Sequence, residues 1–372
     1  MPPIRVLVVD DTVVVRRLVS DVLGECDDIE VVGTASNGRT ALGLIAALKP
    51  DVVTLDVEMP VMDGLATLAE LRPAYPTLPV IMFSTLTERG ASATFQALEL
   101  GANDYVTKPT AMRDRAESLA AVRASLVPLV RMWGRRKVAS APLRPRTTTA
   151  TPLPRTTGLP TRPVVGRIAA KTPVRGVVIG VSTGGPPALT RVIPALPADL
   201  SVPVLVVQHM PPVFTRLLAE RLNELSSLTV VEAKEGMVAE PGHVYVAEGA
   251  HHLVLTSQAG VVRLTLNDGP AENSCRPSVD VTLRSAAQVW GMSTLAVILT
   301  GMGSDGLEGV RVLRQTGARV VAQDEASSVV WGMPGVVARA GLADEVIPLD
   351  HISSAIVGAT HGAHTLIGAT SR

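Results

Sequence analysis

Short apolar runs alternate with amphipathic stretches along the N-terminal part of the chain. In the first amphipathic stretch, Val15, Leu18, Val19 and Val22 recur at i, i+3, i+4 and i+7, which places their side chains on one face of a helix. The apolar runs are RVLVV, EVV, DVVTLDV, LPVIMFS and DYVTK. Because these runs are largely apolar at successive positions, the strands should be covered on both faces, which indicates an α/β domain with a parallel sheet.

The C-terminal part repeats this pattern with the runs RGVVIGVS, VPVLVVQH, LTVVEA, TLAVILT and RVVAQ. One segment differs, because HVYVAEGAHHLVLTSQAGVVRLTLN alternates apolar and polar residues and contains turn residues. This alternation predicts antiparallel strands inserted into the second sheet. The predicted fold class is therefore α/β, with two doubly wound parallel-sheet domains, the second Rossmann-like and carrying an antiparallel hairpin.

A segment of different composition separates the two parts. Residues 134–173 are rich in Thr, Pro and Arg and contain no Asp or Glu. Such a segment buries too little apolar surface to offset its conformational entropy, so we expect a flexible linker. With 372 residues, the chain exceeds the usual size of a single hydrophobic core. We predict a first domain over residues 1–125, a helix end and linker over residues 126–173, and a second domain over residues 174–365.

Composition argues against several classes of protein. The 34 basic residues are balanced by 34 acidic ones, so we expect no surface built for direct DNA binding. Cys26 and Cys275 lack metal-site spacing, which predicts free thiols in a reducing compartment. The start MPPIRVLVVDD places an acidic pair where a signal peptide requires an apolar core, and no apolar run has membrane-spanning length. We expect a cytoplasmic protein without membrane insertion.

Acidic residues and one lysine follow the odd-numbered strands of the first domain. Asp10 and Asp11 come after the first strand, Asp56 ends the third, and Lys108 follows the fifth. In an open parallel sheet these positions share the carboxyl edge, where ligands bind. Three crowded carboxylates repel one another, and a divalent cation such as Mg²⁺ relieves that repulsion with oxygen ligands alone. Single acidic residues at strand ends could instead be helix caps, but that alternative does not account for the whole set.

The motifs VLVVDD, LDVEMPVMDG, MFST and GANDYVTKP resemble the receiver domain of bacterial two-component response regulators. The resemblance covers residues 1 to about 125 and implies a flavodoxin-like fold. It implies that Asp56 accepts a phosphoryl group from a histidine kinase. It also implies that Mg²⁺ is held by Asp10, Asp11, Asp56 and the backbone carbonyl of Glu58.

The same resemblance assigns roles to three further residues of the first domain. Lys108 would pair with the phosphoryl oxygens, and the Ser84 hydroxyl would hydrogen-bond to the phosphoryl group. Tyr105 matches the aromatic residue that reorients with that hydroxyl. A phosphoryl dianion at this edge would thereby shift the domain between two packings.

In the second domain, Ser182 lies within GVSTG, which fits the G-x-S-x-G pattern of a strand-to-helix turn that exposes a nucleophile. A serine hydroxyl needs a base, and the base needs an orienting group. The next strand ends at His209, so the two side chains should be neighbours at the sheet edge. For the acid, Asp305 follows a long apolar strand in a glycine-rich loop, although an Asp before a helix is commonly a cap. The competing acids are Asp268, Asp280 and Asp344.

The backbone N–H groups near Thr183 and Met302 could form an oxyanion site in this arrangement. The chain order Ser, His, Asp differs from the Ser, Asp, His order of α/β-hydrolases, which disfavours that family. The sequence argues against two other functional classes. A DNA-binding output domain would require a helix-turn-helix or a basic face, and a nucleotide-binding Rossmann module would require G-x-G-x-x-G; the second domain has neither pattern.

The second domain resembles the catalytic domain of chemotaxis protein-glutamate methylesterases, the CheB family, over residues 174 to about 360. The matching motifs are GVSTGGPPAL, VVQHMPPVFT, RPSVDVTLRSAA, LTGMGSDG and QDEASSVVWGMPG. The resemblance implies that Ser182 is the nucleophile, His209 the general base and acid, and Asp305 the orienting carboxylate, with no cofactor for the esterase reaction. It also places Arg276 beside the site, where it could bind substrate.

This resemblance implies a substrate and a form of regulation. The substrate would be glutamate γ-methyl esters on the helical cytoplasmic regions of chemoreceptors, with deamidation of certain receptor glutamines at the same site. The fusion to a receiver suggests that the unphosphorylated receiver covers the catalytic edge. Phosphorylation of Asp56 by a chemotaxis histidine kinase would then open it.

Overall fold

The computed structural model describes residues 2–108, 115–139 and 173–360 of the chain. Its N-terminal domain contains a sheet of five parallel strands in the order β2-β1-β3-β4-β5. The strands are β1 (Ile4–Val9), β2 (Ile29–Ala35), β3 (Val52–Asp56), β4 (Val80–Ser84) and β5 (Asp104–Thr107). The helices are α1 (Val13–Gly24), α2 (Gly38–Leu48), α3 (Gly64–Ala74), α4 (Glu88–Glu99) and α5 (Arg115–Ala139).

Side-chain caps fix where three of these helices begin. Asn37 accepts a hydrogen bond from the Thr40 N–H at 2.9 Å at the start of α2. Asp63 caps α3 in the same way at 2.8 Å, and Thr87 caps α4 at 3.0 Å. Each cap satisfies a backbone donor that has no partner within the helix.

Helix α5 extends beyond the domain boundary that the sequence predicted at residue 125. Its side chains Leu126, Val130 and Trp133 are buried in the core cluster that contains Val6 and Val8 of β1. The first domain therefore continues along this helix. Apolar packing at helical spacing, rather than the change in composition, determines where the domain ends.

The C-terminal domain is built on a seven-stranded parallel sheet in the order β14-β13-β12-β6-β7-β9-β8. These strands are β6 (Gly176–Val181), β7 (Val204–Gln208), β8 (Thr229–Glu232), β9 (His243–Val246), β12 (Thr294–Ile298), β13 (Arg319–Gln323) and β14 (Glu345–Ile347). The helices are α6 (Gly185–Val192), α7 (Phe214–Leu225), α8 (Val279–Val289), α9 (Leu307–Gln315), α10 (Met333–Arg339) and α11 (Leu349–Thr360).

Successive residues of the central strand β6 pack on opposite faces of this sheet. Val177, Ile179 and Val181 belong to one buried cluster, and Val178 belongs to the other. This is why the run is apolar at successive positions, since both faces are covered. The parallel α/β architecture of both domains confirms the predicted fold class.

The predicted antiparallel hairpin is present, but its strands are not inserted into the main sheet. Strands β10 (His252–Gln258) and β11 (Val261–Asn267) form a separate two-stranded antiparallel sheet. The preceding HVYV run forms β9, which pairs in parallel with β7 and β8. The prediction that the hairpin is inserted into the main sheet was wrong. An alternating pattern indicates that one face of a strand is buried, but it does not indicate which other strand it pairs with.

The two domains pack against each other, with α4 beside α6 and α7. The Tyr105 ring stacks on the Phe214 ring, with centroids 5.0 Å apart and planes within 4°. Two ion pairs flank this contact: Arg216 with Glu88 and Arg221 with Glu99, each at 2.7 Å.

The described residues of the predicted linker end at 139 and resume at 173, and the predicted domain end at residue 365 also lies outside the described part. Within the described helices, none has both the length and the apolar character needed to cross a membrane.

Candidate active site

Neighbouring strands bring Ser182 and His209 to one edge of the C-terminal sheet. Val181, the last residue of β6, pairs with Gln208, the last residue of β7, so the next residue of each strand leaves the sheet beside the other. The His209 N–H donates to the Val181 carbonyl at 3.2 Å. The Ser182 N–H donates to the carbonyl of Thr300, just after β12, at 3.0 Å. Three strand ends therefore converge at this point.

Glycines allow the backbone to turn and to approach closely around Ser182. Gly184 has φ +75°, a conformation that other residues rarely adopt, and a Cβ there would lie 2.5 Å from the Val329 Cβ. A Cβ on Gly301 would lie 2.8 Å from the Ser182 Cβ. Larger residues at these positions would displace the loop that carries Ser182.

Asp305 lies directly behind His209. Its Oδ2 is 2.7 Å from His209 Nε2 and accepts the Val279 N–H at 2.7 Å. Its Oδ1 accepts the Ser278 hydroxyl at 2.8 Å and the Asn273 side-chain amide at 3.1 Å. Although burial favours the neutral acid, the hydrogen bond to His209 and these other donors lower the pKa of Asp305 well below its ordinary value. The carboxylate is therefore a stable anion facing the imidazole.

The competing acids from the sequence lie elsewhere. Asp268 is exposed and contacts His251 at 2.5 Å, and Asp344 pairs with Arg314 at 2.6 Å. Asp280 accepts the Gly309 N–H at 2.6 Å, so it holds the start of α9 against α8. Of these four candidates, Asp305 is the one that contacts His209.

The two ring nitrogens of His209 have different neighbours. Nε2 faces Asp305, and Nδ1 lies 3.4 Å from the Cys275 sulfur. Within the described residues, the Ser182 hydroxyl makes no hydrogen bond, to His209 or to any other group. Burial lowers the pKa of His209, but Asp305 and Cys275 outweigh it and raise the pKa to about 9. The imidazolium is therefore the favoured form at neutral pH.

Ser182 and His209 line one cavity of about 480 Å³ between the two domains. Thr183 and Met302 also line it, and neither N–H group donates a hydrogen bond to a described residue. Both groups are thus free to donate to a bound oxygen atom.

Arg276 is directed differently from the prediction: its guanidinium donates to the carbonyls of Asp268 and Gly269 at 3.1 and 3.0 Å, and it does not line the cavity.

A second polar site lies at the carboxyl edge of the N-terminal sheet. Carboxylate oxygens of Asp10, Asp11 and Asp56 lie within 4.8 Å of one another. Lys108 Nζ lies 2.8 Å from oxygens of both Asp10 and Asp56, and these two carboxylates raise the pKa of Lys108 despite its burial. Burial and the Asp10 charge raise the pKa of Asp56 to about 6. One ammonium group does not neutralise three carboxylates, so this oxygen-only donor set fits a divalent cation such as Mg²⁺.

The remaining predicted residues of this domain lie around that edge. The Glu58 N–H faces Asp56 Oδ1 at 3.4 Å, so the segment after the acidic residue folds back towards it. Ser84 is fully buried, and its hydroxyl donates to the Gly90 carbonyl at 3.0 Å rather than to Asp56. Tyr105, on β5, is stacked on Phe214 at the domain interface.

A CheB methylesterase model matches residues 177–356, and a response regulator receiver domain model matches residues 6–120. A protein-glutamate methylesterase/protein-glutamine glutaminase of Trichodesmium erythraeum is 46% identical over 357 residues, covering 96% of this chain and 99% of that protein. The chain belongs to the CheB methylesterase family. This membership confirms the family inferred from the sequence motifs.

Two further proteins are similar to this CheB family member. A Nocardioides protein with the same name is 50% identical over 353 residues, covering 94% of this chain and 93% of that protein. The crystal structure of the Thermotoga maritima CheB methylesterase catalytic domain is 45% identical, covers 50% of this chain and 99% of that chain, and has a TM-score of 0.49.

Sequence reasoning missed several residues of this CheB family site. Gln208 donates from Nε2 to the carbonyls of Ser182 and His209, each at 3.1 Å, and so joins the two loops. Ser278 and Asn273 hold Asp305, and Cys275 contacts His209. The motif RPSVDV was recognised as a family feature, but its role in holding Asp305 depends on a contact across 27 residues of sequence.

Proposed function

We propose that this chain is a phosphorylation-regulated serine esterase that hydrolyses glutamate γ-methyl esters on chemoreceptors and deamidates receptor glutamines. The observation that carries the proposal is the 2.7 Å contact between Asp305 and His209. This contact lies beside Ser182 at the sheet edge of the domain that matches the CheB methylesterase model. The names of the relatives, protein-glutamate methylesterase/protein-glutamine glutaminase, support the same reaction class.

The proposed reaction begins with Ser182. Its Oγ forms a bond to the ester carbonyl carbon while its proton moves to His209 Nδ1, because Nε2 is bound to Asp305. The negative charge that develops on the carbonyl oxygen is stabilised by the N–H groups of Thr183 and Met302. The bond to methoxide then breaks, and His209 returns the proton so that methanol leaves.

The acyl-enzyme is then hydrolysed by water. His209 takes a proton from the attacking water, the bond to Ser182 Oγ breaks, and the serine regains its proton as glutamate is released. A glutamine side chain would pass through the same intermediate and release ammonia instead of methanol. The esterase step uses no metal or cofactor in this scheme.

In the receiver, Asp56 would be the phospho-acceptor, with a chemotaxis histidine kinase as donor. Mg²⁺ bound by Asp10, Asp11, Asp56 and the Glu58 carbonyl would neutralise charge during phosphoryl transfer. Lys108 is already 2.8 Å from Asp56 and would pair with the phosphoryl oxygens. The Ser84 hydroxyl would leave the Gly90 carbonyl to contact the phosphoryl group, which alters the start of α4.

The domain contact supports control of the esterase by the receiver. Residues of β5 and α5 line the cavity that contains Ser182 and His209, so a receptor helix would have to reach Ser182 between the two domains. Tyr105, the proposed switch residue, is stacked on Phe214 at the start of α7. A movement of Tyr105 on phosphorylation would remove this stack and weaken the contact that covers the site.

We propose three functional parts: the receiver, a helix end with its linker, and the catalytic domain. The receiver begins in the first strand and ends within α5, whose buried side chains beyond residue 125 pack with β1. The catalytic domain begins near residue 174 and works on the cytoplasmic side of the membrane, where the methylated receptor helices would lie.

The test of this function is release of methanol from methylated chemoreceptors, with and without a small phosphodonor. We expect the phosphodonor to raise the rate for the native chain. Asp56→Asn should keep basal hydrolysis but lose the activation, because the phospho-acceptor is absent. Asp27→Asn, an exposed acid in the same domain, is the matched control and should retain activation. Full activation of the Asp56→Asn protein would rule out the proposed regulation.

Charge reversal at the interface should raise basal activity. Arg216→Glu places two like charges where Arg216 and Glu88 now pair at 2.7 Å, and it should increase unphosphorylated hydrolysis about twofold to fivefold. Combining it with Glu88→Arg restores opposite charges and should return the rate towards that of the native chain. Arg311→Glu, on α9, is the control. An unchanged basal rate in Arg216→Glu would mean that this pair does not hold the domains together.

A further inference from the structure

The thiol of Cys275 lies against the ring nitrogen that the proposed reaction needs. Its sulfur is 3.4 Å from His209 Nδ1 and 3.4 Å from the Asn273 carbonyl oxygen. His209 Nε2 is occupied by Asp305 at 2.7 Å. Nδ1 is therefore the nitrogen left to receive the Ser182 proton, and it already has a neighbour.

Ser182 provides a second, independent observation. Its hydroxyl lines the same cavity as His209 and Cys275, yet within the described residues it has no hydrogen-bond partner. A serine activated by His209 would instead be hydrogen-bonded to Nδ1. In this structure the thiol, rather than the alcohol, is the group beside the base nitrogen.

We propose that Cys275 is a positioning residue that acts through His209: it competes with Ser182 for Nδ1 and thereby lowers turnover. This inference rests on the proposed function, in which His209 is the base. When Cys275 holds Nδ1, the ring cannot accept the Ser182 proton. Hydrolysis then requires that the sulfur contact break and that the Ser182 hydroxyl take its place.

The groups around His209 determine its pKa, so the proposed competition can be measured through that pKa. Asp305 faces the ring from the loop after β12, and Cys275 faces it from the loop before α8. Asp280, in the first turn of α8, shares Asn273 with Asp305, and Asp104 of β5 lines the cavity from the receiver. Of these neighbours, Asp305 and Cys275 favour the imidazolium. Loss of the thiol contact should therefore lower the pKa of His209, which now lies at about 9.

The test compares Cys275→Ala with the native full-length chain in the methanol-release assay across pH. If the acid limb moves down by about one pH unit, turnover at neutral pH should rise about tenfold, with KM unchanged. NMR titration of the His209 imidazole should show the same downward shift. A merely structural role for Cys275 would not move this titration.

Matched variants make the result decisive. Cys275→Ser removes the sulfur but keeps a small hydroxyl that can still contact Nδ1, so it should lower the acid limb and give a smaller gain in turnover. It also serves as the test if Cys275→Ala does not fold. Cys26→Ala, which removes the thiol of the receiver domain, should change neither quantity.

Two outcomes would overturn the inference: an unchanged rate and pH profile in the Cys275 variants, or a loss of turnover in folded protein. A parallel assay of Ser182→Ala separates this failure from that of the proposed function. If Ser182→Ala still releases methanol, the nucleophile is wrong. If it is inactive while Cys275→Ala behaves like the native chain, only the competition is wrong.

Discussion

Ser182→Ala should abolish methanol release from methylated receptors, with a loss of roughly 10⁴-fold or more in turnover. The physical reason is that Ser182 supplies the nucleophilic hydroxyl in the proposed reaction, and the methyl side chain of alanine cannot form the acyl-enzyme. Methanol release under saturating phosphodonor is the measurement, because phosphorylation is proposed to open the site. The fold should persist, since the Ser182 backbone N–H still donates to the Thr300 carbonyl at 3.0 Å.

Ser257→Ala is a suitable control for this substitution. Ser257 is an exposed serine on the hairpin strand β10, and it does not line the cavity that contains Ser182. We expect its turnover to match that of the native chain. Circular dichroism and thermal unfolding of both variants would establish that they are folded. Native-like methanol release by a folded Ser182→Ala protein would exclude Ser182 as the nucleophile.

Asp305→Asn should reduce turnover by about 10⁴-fold and also move the acid limb of the pH profile. In the proposed reaction the neutral imidazole is the base, and the pKa of His209 is raised to about 9, so activity should increase with pH up to that value. Without the Asp305 charge the imidazolium loses its main partner, while burial still disfavours it. The residual activity should therefore reach its plateau at lower pH.

The measurement for Asp305→Asn is the pH dependence of kcat/KM for methanol release. Asp268→Asn is the matched control, because Asp268 is exposed and contacts His251 rather than His209. It should keep both the native rate and the native acid limb. A full rate in Asp305→Asn, or an acid limb that does not move, would contradict the role proposed for the carboxylate.

The strands, and the residues that follow them at the sheet edge, were accessible to sequence reasoning because the signals are local. A run such as VVIGVS is apolar at successive positions, which predicts that both faces of the strand are covered. Alternate residues of β6 do belong to two different buried clusters. Since parallel strands end at a common edge, Ser182, His209 and Asp305 could be brought together from their positions after three strands. The same reasoning predicts that four residues of the first domain lie close together at the edge of its sheet: Asp10, Asp11, Asp56 and Lys108.

Other features could not be read in this way. The HVYV run carries the pattern of a half-buried strand, but only the fold decides that it pairs with β7 and β8 rather than with the hairpin. Leu126, Val130 and Trp133, which lie in α5 beyond residue 125, are recognisable as core only when they are packed with residues of β1. Arg276 matched a family position, yet its guanidinium is directed at loop carbonyls.

The sequence by itself determined the two α/β domains and which strand ends carry candidate site residues, since these depend on periodicity and on the rule that parallel strands end together. The family followed from the resemblance of its motifs to those of known proteins. Only the tertiary structure decided that Asp305 rather than Asp268, Asp280 or Asp344 faces His209, that Cys275 occupies Nδ1, and that Tyr105 is stacked on Phe214. These contacts join residues far apart in the chain. They depend on the direction of individual side chains, which no local pattern specifies.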